Sequence, residues 1–188
     1  MFKDTLSGLN QIGIVWQEQN ASGLRALRLL PVEWVTHFFD PLITAPVSVY
    51  AQLKTGDIVL KQGLLPIDIE IDPNYSSLNE DKSDDPAGSR YRASVSFTIP
   101  KDRPALAYWL RTCGDVRFLA LMEDRNGFFR VAGTKEQPLR LSWSASPGNG
   151  RTGRGNRTFN LSVESTAMVY FSEGISNDFL IGTGPYSV

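Results

Sequence analysis

Tyr91-Arg92-Ala93-Ser94-Val95-Ser96-Phe97-Thr98-Ile99 alternates apolar and polar side chains without a break. In an extended chain successive side chains project to opposite faces, so Tyr91, Ala93, Val95, Phe97 and Ile99 share one face and Arg92, Ser94, Ser96 and Thr98 the other. This segment is predicted to be a strand with one buried face. The same period of two marks Ile12, Ile14 and Trp16; Val47, Val49, Ala51 and Leu53; and Ile67, Ile69 and Ile71 against Asp68, Glu70 and Asp72. It recurs in Leu139, Leu141 and Trp143 and in Phe159, Leu161 and Val163, and residues 26–30 and 167–171 are further strands. A short strand cannot bury its apolar face alone, so these runs require one another, and one β-rich domain over residues 1–188 is expected.

Between 116 and 133, two apolar runs flank Asp124-Arg125-Asn126-Gly127, and Asn and Gly tolerate the positive φ of a tight turn. A hairpin is expected there. Its acidic and amide side chains lack the following acidic positions of a calcium loop. One helix interrupts the strands at about 102–113. Asp102 can cap it, Pro104 suits its first turn, and Leu106, Trp109, Leu110 and Cys113 form one apolar stripe before Gly114. Cys113 is then a packing thiol. A helical turn is expected at 32–39, with His37 packed in it.

Residues 72–90 contain Pro73, Pro86 and Gly88 with Glu80, Asp81, Asp84 and Asp85, a composition that predicts a long solvated loop. Residues 146–157 form a second loop, rich in glycine and arginine, and 174–188 a polar C-terminal arm. The two loops carry opposite charge. They can meet within one subunit, meet between neighbours, or be solvated independently.

The 188 residues include 19 Lys plus Arg and 20 Asp plus Glu, so no whole-molecule field favours nucleic acid or an anionic membrane. The first ten residues lack a secretory layout, and no apolar run reaches the roughly 20 residues of a membrane span, so synthesis in the cytoplasm is expected. The sequons at Asn20, Asn74, Asn156 and Asn160 would matter only after secretion.

One cysteine and one histidine leave neither an intramolecular disulfide nor a thiolate metal cluster, and give a nucleophile-histidine device only His37 to use. Residues 148–153 fit G-x-G-x-x-G, but an alternating strand pattern follows where a dinucleotide site needs a helix. Arg151, Arg154 and Arg157 could meet phosphates, yet no aromatic platform is interleaved with them. Asp68 and Glu70 share a strand face, as paired catalytic carboxylates could, but no other catalytic group accompanies them. No enzyme, cofactor or metal is expected.

Strand 91–99, helix 102–113, hairpin 116–133, then strands 139–144 and 157–171: this order of elements resembles the tail-tube superfamily, which includes phage tail tube and distal tail proteins and the tube protein of type VI secretion. The resemblance covers mainly residues 91–171 and rests on element order. It implies a β-sandwich or partial barrel with one flanking helix. Subunits would join edge to edge in a homo-oligomeric ring, sixfold in the family, and rings would stack into a conduit in a virion tail through which DNA passes. Other tail proteins would be partners, and a membrane would not.

On this picture Glu80, Asp81, Asp84, Asp85, Arg151, Arg154 and Arg157 are inter-subunit contact candidates, and Asp68, Glu70 and Asp72 would line the lumen and repel DNA. The stretch before Tyr91 exceeds a minimal tube subunit and suits a hub, adaptor or completion protein equally. A β-sandwich binding carbohydrate or a host surface through Trp16, Trp34 or Trp143 is the other reading.

Overall fold

The computed structural model describes residues 22–41, 52–86, 88–100, 103–146, 156–165 and 169–181. Its strands are β1 (Leu24–Pro31), β2 (Val35–Phe38), β3 (Gln52–Leu53), β4 (Ile58–Leu60), β5 (Ile67–Ile69), β6 (Ser76–Asp85), β7 (Gly88–Pro100), β8 (Arg117–Asp124), β9 (Phe129–Ala132), β10 (Leu139–Ser146), β11 (Asn156–Ser165) and β12 (Tyr170–Ser172). Two helices accompany them, α1 (Pro104–Thr112) and α2 (Asn177–Ile181). The chain is mainly β, as its alternation predicts, and ten strands join one sheet.

β8 organises that sheet. Phe118-Leu119-Ala120-Leu121-Met122 is apolar at every position because both faces of the strand are covered. Phe118, Ala120 and Met122 enter one core, and Leu119 and Leu121 enter a second. One edge of β8 pairs with β1, which in turn pairs with β5. The other edge forks: Arg117 and Phe118 pair with β10, whereas residues 120–123 pair with β9. One limb runs β10-β11-β7-β6, and the other β9-β12-β3.

The longer limb curls until the start of β6 returns to β1. There the Ser76 hydroxyl accepts a hydrogen bond from the Leu24 amide at 3.1 Å and donates to the Leu24 carbonyl at 3.3 Å. A side-chain clasp thus stands where a strand ladder would close the barrel, and the fold is a partial barrel. Gly23 makes the approach possible. At φ +103° its missing Cβ would lie 2.4 Å from the Pro73 carbonyl oxygen.

Inside the curl, Phe97 and Phe159 stack with ring centroids 5.0 Å apart, surrounded by Leu27, Leu29, Val95 and Leu161. Helix α1 packs on this core through Leu106, Trp109, Leu110 and Cys113, the stripe read from the sequence. Pro104 occupies its first turn, but the N-cap position is Arg103, without a side-chain bond; Asp102 lies outside the described residues. Burial pushes the Cys113 thiol above its ordinary range, as a packing role requires.

The second core lies on the opposite face of β1, β8 and β9, where Leu30, Val35, Leu53, Ile58, Val131, Tyr170, Phe179 and Leu180 meet. Arg28 crosses its margin. The guanidinium donates to Asp68 Oδ1 at 2.6 Å, to the Ile175 carbonyl at 2.5 Å and to Asn177 Oδ1 at 2.7 Å. One side chain therefore fastens β5 and the C-terminal segment to β1.

Four expectations are corrected. Residues 72–90 are not a long loop, because β6 pairs with β7 over ten positions, Ser76↔Phe97 through Asp85↔Gly88. The acidic composition that argued for a loop equally suits a strand with an exposed edge, where charge discourages unwanted pairing. Residues 32–39 are a 3-10 turn (Val32–Trp34) followed by strand β2, which pairs with β4 and leaves His37 exposed, stacked on Phe39 at 6.0 Å. The C-terminal arm begins as packed structure, since Phe179 and Leu180 are buried. Asn156 and Arg157 belong to β11 rather than to a loop. The strand expected at 12–16, most of that at 47–53, and residues 147–155, 166–168 and 182–188 lie outside the described residues.

Candidate functional site

Among the described residues β6 and β7 form a ribbon that outruns its neighbours. The pairing of β11 with β7 stops at Ser165↔Tyr91, whereas β6 follows β7 on to Asp85↔Gly88. Among the described residues, the ribbon beyond Tyr91 has no further strand beside it for about 10 Å, at 3.4 Å per residue. Among the described residues β6 pairs with β7 alone, so its outer edge offers unpaired backbone groups beyond the Ser76 clasp.

The acidic contact candidates all sit on β6, but they do different things. Glu80 turns inward and accepts the Val169 amide at 2.7 Å. Asp81 is exposed and lies opposite Arg92. Asp84 accepts from Lys82 at 3.1 Å and from the Ser89 hydroxyl, and these two contacts, Ser89 first, lower its carboxyl below the ordinary value. Asp85 ends the strand.

Of the basic candidates, Arg151 and Arg154 lie outside the described residues. Arg157 is on β11 opposite Ile99, with its guanidinium 4.9 Å from the Trp143 ring centroid. Ile99 is seven residues along β7 from Arg92, the partner of Asp81, a separation of about 24 Å. Arg157 and the acidic ribbon are thus kept apart within one subunit. The arginine-rich connection leaves β10 at Ser146 and enters β11 at Asn156, at the end of the sheet opposite the ribbon tip.

The lumen candidates do not form a row of free carboxylates. Asp68 is paired with Arg28, and Asp72 accepts the Asn74 amide at 2.9 Å as the cap of the turn Pro73–Tyr75. Glu70 is exposed.

The broad outer face of β6, β7, β11 and β10 is polar in a way that only register reveals. Ser77, Ser96, Asn160 and Ser142 form one cross-strand row, and Thr98, Thr158 and Ser144 the next. Toward the ribbon the rows become charged. Arg117 lies directly opposite Arg140, which pairs with Ser162, while Glu164 lies opposite Arg92. These residues, with Glu136, Gln137 and Pro138, line an open groove of about 490 Å³. Single residues in the sequence give no hint of it. Arg92, Arg117 and Arg140 are 25 and 23 positions apart and converge only because four strands fall into register.

A smaller hollow of about 280 Å³ is lined by Ala107, Leu110, Arg111, Trp143 and Arg157, with Trp143 49% exposed. Trp34 instead packs against the second core, and Trp16 lies outside the described residues. Another exposed aromatic pair, Phe128 and Phe171, meets edge to face at 6.1 Å with Arg130 stacked on Phe171. No group of three His, Cys, Asp or Glu side chains able to hold a metal occurs among the described residues, and no described helix is long and apolar enough to cross a membrane. Comparison with protein-family models, curated proteins and solved structures gives no match to the chain.

Proposed function

We propose that the chain is a structural subunit that assembles with copies of itself, edge to edge, as a ring-forming tube-type protein of a phage or phage-like tail. The observation that carries this reading is β6: ten residues long and, among the described residues, paired on one side only and running with β7 past the last pair of β11. An edge of this length offers hydrogen-bonding groups that a neighbouring subunit can satisfy, and a closed ring leaves no edge exposed. The charged side chains along it would limit pairing to a complementary partner. The separation of the acidic ribbon from the arginine-rich connection also supports stacking. Rings laid end to end would bring the ribbon of one subunit toward the Ser146 and Asn156 end of the next.

Light scattering and negative-stain microscopy of the purified protein test this reading directly. Rings or short tubes are expected, and a monomer at high concentration refutes it. Proline at Ser83 and proline at Asp84, made separately, probe the edge. Successive amides point to opposite edges of a strand, so one of the two variants removes an outward donor and should disrupt the assembly while the core, remote from the ribbon, still folds.

A second reading is favoured by Trp143. Its half-exposed ring beside Arg157 in the hollow against α1 is the kind of flat surface on which a sugar ring stacks. A glycan array hit by a monomeric protein, lost in Trp143→Ala, would support a binding module instead.

A further inference from the structure

The arginine groove on the outer face goes beyond assembly. Arg117 and Arg140 are directly opposed across β8 and β10, which brings their Cβ atoms to about 5 Å, and like charges so placed destabilise a sheet. Neither they nor Arg92 forms an ion pair among the described residues, although Glu136 and Glu164 line the same groove. Both arginines and Arg92 line the groove, so three positive side chains share one face of the sheet.

We propose that this groove binds a phosphate monoester borne on a small hydroxylated molecule. A tetrahedral dianion between Arg117 and Arg140 turns their repulsion into two charge-assisted contacts, and guanidinium forks match its oxygens. Ser162, between them and Arg92, offers a hydroxyl donor. Glu136 and Glu164 set the other half of the specificity. Carboxylates accept from ligand hydroxyls and repel further negative charge, so they favour one phosphate on a polyol body over a polyphosphate or a nucleic-acid strand. The volume of about 490 Å³ falls in the range of small-molecule sites, and the polar lining suits a hydroxylated ligand rather than an apolar one.

Titration of the full-length protein by calorimetry and by amide NMR tests the proposal, with glucose 1-phosphate, inorganic phosphate, glucose and inorganic triphosphate as probes. Glucose 1-phosphate is expected to bind and to shift the amides of 92, 117, 140 and 162. It should bind more tightly than inorganic phosphate, which serves as the free-anion arm, and glucose should not bind. Arg117→Gln and Arg140→Gln should each weaken binding by roughly tenfold or more, the loss of one contact to a charged group. Either substitution should leave the melting temperature in phosphate-free buffer unchanged or higher, since it relieves the repulsion; a merely structural arginine would lower it. Glu136→Gln with Glu164→Gln should improve triphosphate binding selectively. Absence of binding by every phosphate, binding undiminished in the Arg117→Gln/Arg140→Gln double variant, or triphosphate binding tighter than glucose 1-phosphate in the parent protein would each overturn the proposal. The outcome is independent of ring formation.

Discussion

Replacing Arg28 with methionine keeps the aliphatic stem and removes the head group that joins β1, β5 and the C-terminal segment. Its three contacts are unequal. The carboxylate of Asp68 is 76% exposed, so that ion pair is screened and contributes at most about 1 kcal/mol. Asn177 is exposed and exchanges its lost partner for water. The Ile175 carbonyl is different, because Ile175 is buried and the Arg28 side chain is only 13% exposed. Leaving that oxygen unpaired costs about 1–3 kcal/mol. Together Arg28→Met should cost roughly 2–3 kcal/mol, and at about 2–4 °C per kcal/mol for a chain of this size the melting temperature should fall by about 4–12 °C.

Asp68→Asn removes the ionic contribution alone and should lower it by no more than about 4 °C. The assay is a pair of thermal melts at low and high salt, with hydrogen exchange to localise the loss. Exchange should quicken at residues 175–181 in Arg28→Met and remain near parental in Asp68→Asn. If the two variants fall equally, or if the difference vanishes in high salt, the anchor is the ion pair and the carbonyl argument is wrong.

Three further outcomes follow from the packing. Phe97→Ala opens a cavity against Phe159 in the first core and should cost about 3–5 kcal/mol, whereas Phe171→Ala, at a ring 44% exposed, should cost under about 1 kcal/mol; denaturant titration separates them. Gly63→Ala, at φ +80° with open space around it, should cost about 1 kcal/mol, while Gly23→Ala adds a clash with the Pro73 carbonyl and should cost roughly 3 kcal/mol; equal melts would remove the close-approach explanation. Burial and then the hydrogen bond to Asp40 raise the Tyr170 phenol above its ordinary value of 10.0. The folded form therefore keeps its proton where the unfolded chain has lost it, and the contribution, complete below about pH 10, declines as pH rises beyond that value. Tyr170→Phe should be about 1 kcal/mol less stable at neutral pH and have a flatter alkaline limb, measured by melts from pH 8 to 11.

Local pattern was enough to specify β7, β10, β11, the β8–β9 hairpin and α1. The 91–99 alternation, the α1 stripe and the Asp-Arg-Asn-Gly turn are properties of neighbours in sequence, and in the turn Asp124 Oδ1 accepts the amides of Asn126 and Phe128 while Gly127 takes φ 82°. The unbroken apolar run of β8 likewise states that both faces are covered, without saying by what. Pattern misled where composition and burial diverge. Residues 81–84 are exposed and carry charge, and Leu78 alone among residues 76–85 is apolar, too little trace to tell a strand from a loop.

The groove belongs to tertiary structure entirely. Arg117 and Arg140 each occupy an unremarkable polar position on a strand, and their relation depends on the fork at β8, which no periodicity encodes. Sequence settles how each segment buries its own side chains, since that is decided within a few residues. Which strands become neighbours, and so which charges face each other, is decided by register across dozens of residues, where only the closed packing of two cores selects one answer.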